Sequence, residues 1–161
     1  MRKLLFIFMV LALAACSLGS QSEIDRNQQK WQDANISHYR FNLSIGCFCP
    51  FSQDMPLVIE VQNGKVVSMV SQSGNEIDAN NREIYKQYET IDRVLSELEK
   101  AIKGTTDEVG SSSDPAPRKA DEVVVTYDPT YGFPAQAQID FIKNAVDDEL
   151  TLDISNFEKL P

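Results

Sequence analysis

From His38 onward the chain alternates. Tyr39, Phe41, Leu43, Ile45 and Cys47 are separated by Arg40, Asn42, Ser44 and Gly46, a period of two that puts every apolar side chain on one face of a strand. Leu57, Ile59 and Val61 repeat the pattern. Asn63-Gly64 follows at once, and both residue types tolerate the positive φ of a tight hairpin turn, so Lys65–Ser71 is expected to return as a paired strand. Three further strands are expected on the same grounds. Val123, Val125 and Tyr127 share one face, as do Phe133, Ala135, Ala137, Ile139 and Phe141, and then Leu150, Leu152 and Ile154. The residues between the first two of these, Asp128-Pro129-Thr130-Tyr131-Gly132, are turn chemistry.

Elsewhere the period lengthens. Ile91, Val94, Leu95, Leu98 and Ile102 recur at helical spacing and make one apolar stripe. Thr90 precedes it as the start, Asp92 suits the positive end, and Gly104 supplies the stop. A second helix is expected from about Glu23 to Asn35, capped by Ser22, with Ile24 and Trp31 two turns apart on one side. Residues 72–89 are polar and mixed, and read as a long loop with one irregular turn. Residues 105–121 carry no large apolar side chain except Val109 and read as a mobile loop. The resulting order is helix, three strands, helix, three strands. It points to a single α+β domain, an antiparallel sheet of about six strands with two helices on one face, and it permits a helix–strand–strand–strand repeat.

The amino end does not belong to that domain. Met1-Arg2-Lys3 is followed by 12 apolar residues, Leu4 to Ala15. A membrane-spanning helix needs roughly 20 apolar residues, so the run fits a secretory signal instead. It ends in Leu13-Ala14-Ala15-Cys16, which looks like the lipobox of bacterial lipoproteins. Small side chains let the chain lie extended in a peptidase cleft, and the Cys16 thiol is the nucleophile able to accept diacylglycerol as a thioether. Each buried methylene contributes about 0.8 kcal/mol, so several acyl chains hold effectively permanently. The expected division is a signal peptide at 1–15, a lipidated tether at 16–21 and the domain at 22–161. By resemblance to known lipoproteins, Ser17 in place of Asp favours the outer membrane where the host has two.

Charge narrows the partners. Loss of residues 1–15 removes Arg2 and Lys3, so 15 basic residues become 13 against 24 acidic, and the net charge moves from −9 to −11. Such a surface repels nucleic acid. Cys47 and Cys49 are the thiols left after lipidation, and in an oxidising envelope they are expected to pair. In an extended strand their α-carbons stand about 6.5–7 Å apart, so closing the ring requires a bend, which Pro50 assists. A structural staple is one reading. A second is a strained, reducible bond serving thiol–disulfide exchange or redox sensing, and metal binding is a third. No Lys, Arg or His is adjacent in sequence to activate a thiol. A reduction potential below about −300 mV would mark the staple.

Taken together, Trp31, Tyr39, Cys47-Phe48-Cys49-Pro50, Val61 with Asn63-Gly64, Tyr127-Asp128, Tyr131-Gly132-Phe133-Pro134 and Asp147-Asp148-Glu149 occur in an order that resembles the bacterial exported family catalogued as domain of unknown function 6174. The likeness covers roughly residues 30–157. It implies an envelope location and brings no catalytic residue with it.

No constellation in the chain demands catalysis. His38 is the single histidine, and a lone His before a strand is more often a surface residue than part of a triad or zinc site. Asp140, Asp147, Asp148, Glu149 and Asp153 crowd one region but match no calcium-loop spacing. Tyr127, Tyr131 and Phe133 form a candidate binding patch beside the turn, although such residues more often pin a hairpin to the core. The expectation is therefore a non-enzymatic binding or structural module of the cell envelope, without metal or cofactor. It would be held to a membrane through lipid on Cys16 and meet an envelope protein or cell-wall partner. A redox lipoprotein using Cys47 and Cys49 is the alternative.

Overall fold

The period-two segments pair into one six-stranded antiparallel sheet: β1 (His38–Gly46), β2 (Leu57–Gln62), β3 (Lys65–Ser71), β4 (Glu122–Tyr127), β5 (Pro134–Asp140) and β6 (Glu149–Lys159). Helix α1 (Ala15–Ala34) precedes β1, and α2 (Ile91–Lys103) lies between β3 and β4. This is a computed structural model that describes residues 15–47, 54–78, 82–83, 85–104, 119–142, 145 and 148–161, with side chains from Glu23 onward. Residues 1–14, Cys49, Asp147 and all of 105–118 lie outside the described residues.

The strand order is β3-β2-β1-β6-β5-β4. Tyr39, Phe41, Leu43 and Ile45 of β1 face the core with Leu57, Ile59 and Val61 of β2, Leu152 and Ile154 of β6, and Ala137 and Ile139 of β5. The apolar stripe of α2, namely Ile91, Val94, Leu95 and Leu98, belongs to the same cluster, as do Ile24 and Trp31 of α1. Both helices therefore cover one face. Fully burying a side chain of this size contributes roughly 1.5–3 kcal/mol, so the α2 stripe stabilises the layer strongly. Trp31 Nε1 donates to Asp92 Oδ1 (3.2 Å) and Lys103 Nζ lies 3.7 Å from Asp25 Oδ1. These contacts set the helices antiparallel. No helix among the described residues is long and apolar enough to cross a membrane.

The local signals behave as the physics requires. Thr90 caps α2, its hydroxyl accepting from Arg93 N (3.2 Å), and Gly104 ends it at φ 78°. Asn63 and Gly64 take φ 51° and 72°, the left-handed pair that a two-residue hairpin needs. Asn35 closes α1 at φ 45°.

Four expectations need correction. Helix α1 begins at Ala15 and not at Glu23, so Ser22 lies inside it and residues 16–21, expected as a tether, continue the helix. Gly19 and the serines there are weak helix formers, yet no proline stands between Cys16 and Ser22 to stop propagation. In the last turn of α2, Ala101 is buried in place of Ile102, which is only half-buried. The helix–strand–strand–strand order does not yield a symmetric repeat, because β1 pairs with β6 and not with β4. The two three-strand meanders meet first strand to last, joining chain segments more than a hundred residues apart. Finally, the segment expected as a loop at 72–89 contributes to the core: Tyr85 is 0% exposed and Tyr88 is also buried. Tyr85 Oη donates to Asp54 Oδ2 (3.0 Å), tying that segment to the approach to β2. The end of the second expected loop is likewise pinned, Ala120 N donating to Ala101 O (2.9 Å).

Candidate functional site

Of the candidate patch, Phe133 is packed into the core, while Tyr127 and Tyr131 are half-buried against it. Phe133 is 5% exposed, stacked on Phe157 with ring centroids 4.6 Å apart and edge-on to Trp31 at 6.3 Å. Tyr131 leans on Phe157 at 5.5 Å, and Tyr127 is half-buried at the end of β4. Burial and the neighbouring carboxylates Glu23 and Asp25 push the Tyr127 hydroxyl well above its ordinary range. The turn that carries these residues is built by Asp128, whose Oδ1 accepts from Thr130 N (2.9 Å) and Tyr131 N (2.6 Å). It docks under α1, with Lys30 Nζ donating to Pro129 O. Phe133 is thus inside the molecule and offers nothing to a ligand; an apolar residue beside a Pro–Gly turn reads the same from sequence whether it pins or recognises.

The structure brings Phe157 to the middle of this cluster, a residue the sequence pattern passed over. Leu152 and Ile154 face the core, and strict alternation would send Phe157 outward. Asn156 takes φ 49° and the β1–β6 register shifts between Arg40 and Asn42, so a bulge turns Phe157 back inside. There it meets Trp31, Tyr39, Tyr131 and Phe133.

Opposite the helices, no described element covers the sheet face, and it is polar. Across it run Ser44, Asp153, Gln136 and Thr126 in one row, and Gly46, Thr151, Gln138 and Val124 in the next. Gln136 Nε2 donates to Asp153 Oδ2 (3.0 Å), and Arg40 pairs with Glu158 (2.7 Å) farther along. Two shallow grooves of about 370 and 320 Å³ lie over the β4–β5–β6 part of this face. Val124, 52% exposed, is its prominent apolar side chain. This surface presents amide and hydroxyl groups in register at strand spacing, which suits a hydrogen-bonding partner.

His38 sits at one end of the sheet. Its Nε2 lies 2.9 Å from Glu60 Oε1 and its Nδ1 2.8 Å from the backbone oxygen of Pro161. The hydrogen bond to Glu60, then that to Pro161, raises its pKa above the ordinary 6.5 against a small opposing desolvation. A group raised in the folded state stabilises the fold below its ordinary pKa, and that stabilisation fades as pH rises through the folded value. His38→Gln is therefore expected to lower the unfolding temperature most at about pH 5 and progressively less as pH rises to about 8.5. An equal drop at both values would remove the charge from the explanation.

Among the described residues, the acidic candidates are spread along the β5–β6 ladder. Asp140 faces Glu149 across the β5–β6 ladder, Asp153 lies farther along β6 against Gln136, and Asp140 Oδ1 accepts from Ile142 N (3.1 Å). Among the described residues no three His, Cys, Asp or Glu side chains group as a metal site would. Cys47 follows β1 directly, half-buried against the core. Cys16 belongs to the first turn of α1, its side chain outside the described residues.

A family model described as a family of unknown function (DUF6174) matches residues 23–159. No curated protein and no solved structure matches the chain.

Proposed function

The chain belongs to this family of unknown function (DUF6174), and on that premise we propose that it is an exported lipoprotein whose domain works as a non-enzymatic binding or structural module at a membrane surface. One observation carries the reading. The Leu13-Ala14-Ala15-Cys16 sequence follows a signal-like apolar run, and α1 begins at Ala15 and continues without interruption to Ala34. An acylated Cys16 would then be joined to the core by a continuous helix, and the domain held at a defined distance from the bilayer. The polar sheet face, with Gln136, Gln138, Thr126 and Thr151 aligned across three strands, is the surface proposed to meet an envelope protein or cell-wall partner. Acidity of the mature chain argues against nucleic acid as that partner.

Thiol–disulfide exchange by Cys47 and Cys49 is the second reading. Cys47 stands at the end of a central strand, half-buried against the core, a place that suits a staple. We therefore propose the pair as a structural bond. Metabolic labelling with a radioactive fatty acid tests the anchoring: the native protein is expected to take up label and Cys16→Ser to take up none. Equal absence of label from both would end the proposal.

A further inference from the structure

Five of the chain's 15 Lys and Arg gather on one side of a protein whose net charge is −9. A cleft of about 410 Å³ is lined by Gly64 and Lys65 of the β2–β3 turn, by Arg82 and Lys86, and by Glu89 and Arg93 at the start of α2. A second cleft of about 550 Å³ adjoins it, shares Glu83, Lys86 and Arg93 as its wall, and extends along α2 to Glu97 and Lys100. Three carboxylates lie in these walls and each has its cation: Glu83 with Lys86, Glu89 with Arg93 and Glu97 with Lys100, all at 2.7 Å. Lys65 and Arg82 have no carboxylate partner among the described residues, so the paired walls carry an excess of two positive charges.

We propose that this double cleft binds an anionic group carrying two charges, of the phosphomonoester or diphosphate class, with Lys65 and Arg82 as its principal partners. Two uncompensated cations match a dianion better than a single carboxylate. The planar guanidinium of Arg82 can offer two parallel N–H donors to phosphate oxygens, and the Lys65 ammonium supplies a compact second charge. Lys86 and Arg93, already engaged with glutamates, hold the shared wall. Neither Lys65 nor Arg82 contributes to the core, both being exposed, so both side chains can reach a ligand in the cleft.

The position of the cleft selects the source of that phosphate. The β2–β3 turn lies beside the residues that follow α1, Asn63 N donating to Ser37 O (2.7 Å), and Trp31 near the end of α1 is bonded to Asp92 in the first turn of α2. Cys16 lies at the opposite end of α1, a helix of 20 residues that spans about 30 Å at 1.5 Å per residue. With α1 projecting from the bilayer, as the proposed anchoring has it, headgroups around Cys16 would be remote from Lys65 and Arg82, and the ligand is one that comes from solution. The cleft itself does not depend on lipidation; the choice of source does.

Titration of the full chain in zwitterionic detergent with inorganic pyrophosphate tests the site. Saturable binding is expected at low ionic strength, weakening with added salt because the cations are exposed. The double variant Lys65→Ala/Arg82→Ala is expected to weaken binding about tenfold or more, the result of losing both exposed charge contacts. Lys159→Ala, a cation on β6 away from the clefts, is expected to leave it unchanged. Lack of saturable binding, or equal loss in the double variant and Lys159→Ala, overturns the site. Repeating the titration on the lipidated chain in phosphatidylcholine vesicles, with and without phosphatidylglycerol, tests the source. Equal affinities support a ligand from solution, and loss of pyrophosphate binding on the anionic vesicles overturns that assignment.

Discussion

Trp31→Ala should remove a large share of the stability of the whole domain, about 3–5 kcal/mol by the usual cost of deleting a buried large aromatic. Trp31 is 5% exposed and is packed between the helices and the sheet. Its ring stands edge-on to Tyr39 of β1 (5.3 Å), to Phe157 of β6 (5.9 Å) and to Phe133 beside β5 (6.3 Å). Such aromatic pairs add roughly 0.5–1.5 kcal/mol each beyond area burial. Its indole N–H also holds Asp92 at the head of α2. Truncation would leave a cavity where α1, α2 and the sheet converge, and the surrounding rings cannot all collapse into it. At roughly 3 °C per kcal/mol for a domain of this size, the unfolding temperature should fall by about 10–15 °C. Trp31→Phe keeps most of the ring and loses the hydrogen bond, so it should cost clearly less, about 1–2 kcal/mol. Thermal unfolding followed by near-ultraviolet circular dichroism measures both. Equal losses in the two variants would place the effect in the hydrogen bond and not in the packing.

Gly132→Ala should be nearly as damaging, and for a different reason. Gly132 takes φ +79°, and a β-carbon built there would stand 2.5 Å from Asn27 O and 3.0 Å from the Lys30 β-carbon. The conformation costs a side-chain-bearing residue about 1–2 kcal/mol. The contact is worse, because the nearest atom is helix backbone and cannot swing aside. Forcing α1 away from the β4–β5 turn adds about 1–3 kcal/mol of overpacking strain, and would disturb the Lys30–Pro129 bond and the Asp128-built turn. Gly64→Ala is the internal comparison: it has φ +72° but nothing within 4 Å of the added carbon. It should pay the conformational cost alone. If the two variants unfold at the same temperature in the same assay, the close approach of α1 contributes nothing.

The central part of the fold can be read in the chain because its signals are local. Thr90 and Gly104 bound α2, Asn63-Gly64 makes its hairpin, and the alternation through β1 sends Tyr39, Phe41, Leu43 and Ile45 inward as written. What could not be read depends on distant partners. Phe157 faces the core only because a bulge at Asn156 resets the alternation of β6, and nothing in an isolated β6 announces an inserted residue. Tyr85 and Tyr88 sit among polar neighbours with no period, yet are buried because the fold folds that segment back over the sheet's edge side of α2. The pairing of β1 with β6, which defeats the apparent repeat, joins segments at opposite ends of the domain, and no local pattern encodes which meander edge meets which.

The sites divide in the same way. The proposals at Cys16 and at Cys47 with Cys49 rest on short contiguous peptides, so the sequence alone is enough to raise them. The turn aromatics were ambiguous, since a Phe before a strand looks alike whether it is packed inside or displayed; contact with Phe157 and Trp31 decides it for Phe133. The clefts around Lys65 and Arg82 were invisible, because their cations come from a hairpin turn, an irregular segment and a helix that only the folded chain brings together.

The measurement closest to the central claim is the mass of the amino-terminal peptide of the protein recovered from its native envelope. Anchoring through Cys16 predicts a mature chain that starts at that cysteine and carries diacylglycerol on its sulfur. A chain that keeps Met1, or one that starts at or beyond Cys16 with no lipid attached, would contradict it.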